Sequence, residues 1–250
     1  MRVVHALLAL ALVPANVIAQ GSIEELKTAA DQGSAEAQNQ LGLLYARGEG
    51  VQRSDSEAAR WIAAAAKQNH AGACFNLAML YGTGLGVPQD DIESATWMRK
   101  AAEGGIAEAQ FQMGQLYNRG IHYPRDNREA YRWMAMAAEQ NHSPAQEFLA
   151  VMYHEGIQVG KDHAKALEWY RKAAQGGSTS AQFGAANMYF KGEGGGPDYA
   201  QAYVYASLAA AQGYPKAAKL RDKAAKKLDA EELAAARRVL EVGTAASSGD

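Results

Sequence analysis

Carboxylates recur at a fixed interval along this sequence. Asp90 stands three residues before Glu93 and Asp126 three before Glu129, while Ser54–Glu57 and Asp198–Gln201 keep the spacing with one member changed. Two carboxyl groups so placed could share general acid and general base work. Histidines offer a second chemistry. Of His70, His122, His142, His154 and His163, three (His122, His154 and His163) fall in or near loop segments where two imidazoles could meet. Zinc or copper would need three or four ligands in fixed geometry. Cys74 is the single cysteine, so neither a disulfide framework nor a Cys-pair zinc site is open to the chain. Its neighbours Ala73 and Phe75 provide no basic group to activate a thiol, which is expected to be half-buried and inert. Finally, Lys216, Lys219, Lys223, Lys226 and Lys227 recur at helical spacing and could attract anionic glycan, lipid headgroups or an acidic partner. A solvated outer face is the commoner explanation of such a stripe. The serine-hydrolase, β-lactamase, zincin and phosphate-loop motifs are missing from the sequence. No catalytic, metal-binding or cofactor-binding residue is therefore assigned.

The elements that carry these residues follow from a repeat. Trp61, Trp97, Trp133 and Trp169 are all the tryptophans of the chain, and they stand 36 residues apart. Random placement would give that register roughly two times in 100,000, so the period is real. Tyr45, Tyr81, Tyr117, Tyr153 and Tyr189 repeat at the same interval, as do Gly48, Gly84, Gly120, Gly156 and Gly192. In each copy Ala37, Leu41, Leu44, Tyr45 and their counterparts give one apolar helix face, and the glycine after them suits a left-handed helix stop. A loop follows. The second helix opens at Ser54, Asp90, Asp126, Asp162 and Asp198, every one a good N-cap. Four of the five are followed three residues later by Glu or Gln, the pattern of a capping box. Helix starts thus account for the paired carboxylates. The reading is all-α: an N-terminal half-repeat over 20–34, five repeats (35–70, 71–106, 107–142, 143–178, 179–214), a closing helix pair over 215–242 and a disordered tail over 243–250. Two copies depart locally, because His122 replaces the second loop glycine and Gly194-Gly195-Gly196-Pro197 replaces the usual run, which puts the loop geometry there in question.

Composition sets outer bounds. With 48% hydrophobic residues, 21% charged and a net charge of −2, the chain suits a globular protein and lacks the basic excess of a nucleic-acid binder. Residues 1–19 have Arg2, an apolar run from Val3 to Val13 and small residues ending at Ala19, as in a secretory leader cleaved after Ala19. The run is too short for a spanning helix. The expected location is the bacterial periplasm or the medium beyond it, with no stable membrane insertion after cleavage.

The pattern A-Q-x-x-L-G-x-L-Y-x-x-G-x-G-V, then A-x-x-W and A-A, is carried by Ala37, Gln38, Leu41, Gly42, Leu44, Tyr45, Gly48, Gly50, Val51, Ala58, Trp61, Ala65 and Ala66. It resembles the Sel-one-like repeat (SLR) family, relatives of the tetratricopeptide repeat. The resemblance implies a right-handed α-solenoid that acts as an adaptor, with scaffolding, regulatory or host-contact roles in bacterial envelope members. It also brings an alternative, since a cysteine-rich branch is linked to β-lactam binding and hydrolysis; the paired cysteines of that branch are missing from this sequence. A glycan- or metal-binding envelope protein is the other alternative.

For an adaptor, the informative positions are those that change between copies. In such solenoids the first helices line the concave face, where peptides or helices dock. Along them, Phe75, Met79, Phe111, Gln115, Asn118, Phe183 and Asn187 vary in chemistry from copy to copy and are the candidate partner-binding residues. An aromatic at the Phe75 and Phe111 register is equally expected to pack between repeats. The partner expected is another envelope or secreted protein, not nucleic acid, bound by a monomer.

Overall fold

A computed structural model describes residues 20–247, so the leader expected over 1–19 lies outside the described residues. Regular structure among the described residues is entirely helical, and the chain divides into two compact units that meet at Arg125 and Asp126. The first holds α1 (Gln20–Asp31), α2 (Ala35–Arg47), α3 (Asp55–Lys67), α4 (Ala71–Thr83), α5 (Asp91–Glu103) and α6 (Ala107–Arg119). The second holds α7 (Asn127–Glu139), α8 (Ser143–Glu155), α9 (His163–Gln175), α10 (Thr179–Lys191), α11 (Tyr199–Ala211), α12 (Ala217–Ala225) and α13 (Ala230–Ser247). Helices neighbouring in sequence pack on one another within each unit, as local helix pairs joined by short loops must.

Small residues let the pairs close. A side chain at Gly42 would bring its Cβ within 2.6 Å of Ile62 Cγ1 and 3.0 Å of the Ala58 carbonyl, so α2 and α3 touch nearly backbone to backbone. Trp61 (8% exposed) closes the end of this pair with Ala30, Ala37 and Leu41. Each first helix stops as expected. Gly48, Gly84, Gly120, Gly156 and Gly192 all take left-handed backbone, and each N–H returns to a carbonyl four residues back.

The second-helix caps are half of what the sequence suggests. Ser54, Asp90, Asp126, Asp162 and Asp198 each accept the N–H three residues on. The reciprocal half of the capping box is not made there. The cap N–H groups of Ser54, Asp90, Asp162 and Asp198 instead donate to the carbonyls of Tyr45, Tyr81, Tyr153 and Tyr189. With that donor satisfied, the carboxylates turn elsewhere, Glu57 to Arg60 and Glu93 to the Trp97 indole N–H, and Glu129 after the Asp126 cap likewise accepts from Arg132. Only before α13 is the box reciprocal among the described residues, where Asp229 accepts from Glu232 N and donates its own N–H to Glu232 Oε2.

Two further expectations are corrected. Cys74 is buried, 1% exposed, because it stands where other copies have glutamine. Gln38, Gln110 and Gln146 each donate to the carbonyl eight residues back, and the Cys74 thiol donates to the equivalent Ala66 carbonyl at 3.6 Å. The tail expected to be disordered from 243 is helical through Ser247, since one glycine in an otherwise alanine-containing segment is a tolerable cost to a helix.

Candidate functional site

The loop of the third copy shows how a site arises. In the second copy, Gly86 (φ +71°) lies so close to α3 that a Cβ there would stand 1.9 Å from the Asp55 carbonyl oxygen. His122 occupies the same register with φ +60°, so the loop keeps its left-handed residue despite losing the glycine. Its side chain cannot approach α5 that closely. What lies there is a groove of about 360 Å³, bounded by α5, α6 and the loop after them. Met98, Phe111 and Leu116 give it apolar walls, and Gln115 and Ser94 add polar groups. Asp91, Ala95, Glu108, Gln112, Arg119, Ile121 and His122 complete the lining, with Ile121 42% exposed. Glu108 accepts from Gln112 Nε2 at 2.9 Å.

Such a groove suits binding. It can take an apolar side chain beside Phe111 and Met98, while the Gln115 amide offers a donor and an acceptor to a peptide backbone. The Ser94 hydroxyl is committed to the Ala78 carbonyl at 2.8 Å, so its proton is already spent within the fold. Ser94 and His122 were missed as site residues, although both carry a signal. Ser94 stands where Ala58, Ala130, Ala166 and Ala202 stand in other copies, and His122 stands where three copies have glycine.

Of the seven expected binding residues, Phe111 and Gln115 meet in this groove. Asn118, half-buried on α6, is not part of its lining, and Phe75 and Met79 are half-buried on α4. The corresponding first-copy positions, Asn39 and Leu43, are buried, and Asn39 Oδ1 accepts from Asn76 Nδ2 at 2.9 Å. In the second unit, Phe183 stacks on Tyr214 with ring centroids 4.7 Å apart, so one face of that ring packs internally. Asn187 is half-buried on α10.

The histidines fall into two groups. His70 and His142 are N-caps, a role not foreseen: Nδ1 accepts from Ala73 N at 3.0 Å and from Ala145 N at 3.3 Å. His70 Nε2 also meets Glu36 at 2.9 Å and holds that carboxyl below its usual range. His154 and His163 do come together, as stacked rings 5.3 Å apart. His154 bridges Glu155 (2.7 Å) and Glu193 (3.0 Å). Burial pushes the Glu193 carboxyl upward, but the His154 hydrogen bond and the charges of Lys191, His154 and His163 outweigh it and leave it lowered. Among the described residues no group of three or more His, Cys, Asp and Glu is placed to hold a metal ion.

Comparison with known proteins now decides the family. The Sel1 repeat model matches residues 35–70, 71–106, 107–142, 143–178 and 179–214, most of the chain. The chain belongs to the Sel1 repeat family. A solved Sel1 repeat protein from Oxalobacter formigenes is 33% identical, with 81% of this chain and 80% of that one covered at a TM-score of 0.69. The protective antigen c5321 of uropathogenic Escherichia coli, which displays an SLR fold, is 26% identical over 88% of this chain and 63% of its own, with a TM-score of 0.51. No curated protein matches the sequence. The fold is thus the all-α Sel1 repeat solenoid, and Sel1 repeat proteins serve as protein-interaction scaffolds, generally without enzymatic activity.

Proposed function

We propose that this Sel1 repeat protein is an exported scaffold or regulatory adaptor of the bacterial cell envelope, which holds another envelope or secreted protein through its first helices. The observation that carries the reading is the groove beside α6, where Phe111 and Gln115 meet Met98 next to a loop that has His122 in place of a glycine. Export rests on the sequence of residues 1–19, and a mature protein beginning at Gln20 in the periplasmic fraction is the expected outcome.

Crosslinking and pull-down from the native envelope tests the binding. Gln115→Arg with Asn187→Arg should abolish capture of the partner and leave helical circular dichroism unchanged, because half-exposed polar positions usually cost little stability. Capture that survives both substitutions would contradict the assignment of the first-helix face, and a mature protein that still begins at Met1 would contradict export.

A further inference from the structure

Five lysines elsewhere in this chain are held in place. Lys27, Lys165, Lys172 and Lys191 lie against carboxylates, and Lys100 sits over the Trp97 ring at 4.1 Å. The short helix α12 and its flanks are different. Lys216, Lys219, Lys223, Lys226 and Lys227 are all exposed, and their ammonium groups make no hydrogen bond or ion pair among the described residues. Asp222, the acidic residue within this stretch, is already paired with Arg221 at 2.8 Å. Lys219 and Lys223 lie within α12, and Lys216 and Lys226 keep right-handed helical backbone at its two ends; on continued helical geometry of 100° per residue the five positions fall within an arc of about 100° over roughly 16 Å. Ala217, Leu220 and Ala224 are buried on the adjoining side of the helix. Charge is segregated accordingly: residues 215–241 hold eight basic and five acidic residues, a net of +3, against −2 for the whole chain.

We propose that this lysine face binds an anionic phospholipid surface through its phosphate groups. The residue type favours a lipid surface over an acidic protein partner. Lysine is a mobile point charge that needs no fixed partner geometry, and clusters of such charges on a helical segment are what an anionic headgroup layer attracts. The geometry agrees, since exposed lysines gathered towards one side of a short helical segment can meet a plane together. The apolar side of α12 is already used inside the fold, so attachment is electrostatic and peripheral, without insertion. This surface lies apart from the groove beside α6, and the inference stands whether or not that groove binds a protein.

Sedimentation of the purified protein with vesicles tests it. Vesicles of equal parts phosphatidylcholine and phosphatidylglycerol should carry the protein down at low salt and release it at high salt, and pure phosphatidylcholine vesicles should not. Each single Lys→Gln change in the row should weaken partition about five-fold, and the five together should abolish it. Lys100→Gln with Lys172→Gln, which removes two positive charges elsewhere, should leave partition within about two-fold of the parent, because ring-stacked and paired ammonium groups are not offered to a plane. Circular dichroism shows that each variant is folded, and the single variants keep the test open should the five-fold variant fail to fold. Equal binding to neutral vesicles, undiminished binding after Lys223→Gln and Lys226→Gln, or no binding to the anionic vesicles would overturn the proposal. So would capture of an acidic protein that needs these lysines when vesicles do not bind.

Discussion

Gln38, Gln110 and Gln146 perform one structural task, tying each first helix to the carbonyl eight residues back, and Cys74 performs it with sulfur. The substitution is readable in sequence as a break in a glutamine ladder, but its burial is not, because an isolated cysteine gives no clue to what its thiol touches. Burial also pushes that thiol upward from its ordinary value, which makes it a poor nucleophile. Alkylation of Cys74 in the folded protein is therefore expected to be very slow and to become fast in urea; rapid labelling without denaturant would show the site to be open. His122 is the more consequential departure. A non-glycine residue at φ +60° costs about 1 kcal/mol, so His122→Gly should stabilise the protein by up to about that amount. The same change lets the loop settle on α5 as Gly86 settles on α3, and capture of the partner should weaken. A variant that is more stable and still captures fully would separate the loop from the site.

At the scale of helices, most of the fold was legible because each device is local. Alanine and aromatic registers, the left-handed glycine stops and the N-cap residues all act within a few residues of themselves. What the sequence concealed depends on neighbours in space. The carboxylates after the caps at Ser54 and Asp90 were free to pair with Arg60 and Trp97 because tyrosine carbonyls of the preceding helices take the cap N–H groups. Likewise Phe111 and Phe183 share a register, yet one lines a groove and the other stacks on Tyr214. Close helix approach can be tested directly. Gly42→Leu should cost about 1–3 kcal/mol through overpacking against Ile62, read as a lowered melting temperature; an unchanged melting curve would refute that contact. Acid is a second probe of links between elements. Glu36 is held low by hydrogen bonds from His70 and Gln40, joining α2 to the cap of α4, and Glu193 by His154, joining α8 to the loop after α10. Carboxyls lowered in the folded state add stability that is fully present above their unfolded value and is lost as pH falls through the folded one. Thermal stability should thus decline as pH drops below the usual carboxylate range, and His70→Ala with His154→Ala should flatten that decline.

Over the whole chain, repetition and departure from repetition divide the labour. Five matched repeats supply a helical scaffold whose core positions barely change, and the proposed binding function falls where copies differ. The repeat was visible in the tryptophan and glycine ladders alone; the groove was not, because its depth depends on how far a single loop stands from a neighbouring helix. The account's central claim is that a protein partner engages the groove beside α6. A photo-crosslinking residue placed at Gln115 and, as a control, at Glu25 on the exposed side of α1 tests it most directly in the native envelope. The account predicts one discrete protein adduct from position 115 that is lost in His122→Gly and is not formed from position 25. No adduct at 115, or the same adduct from both positions, would contradict it.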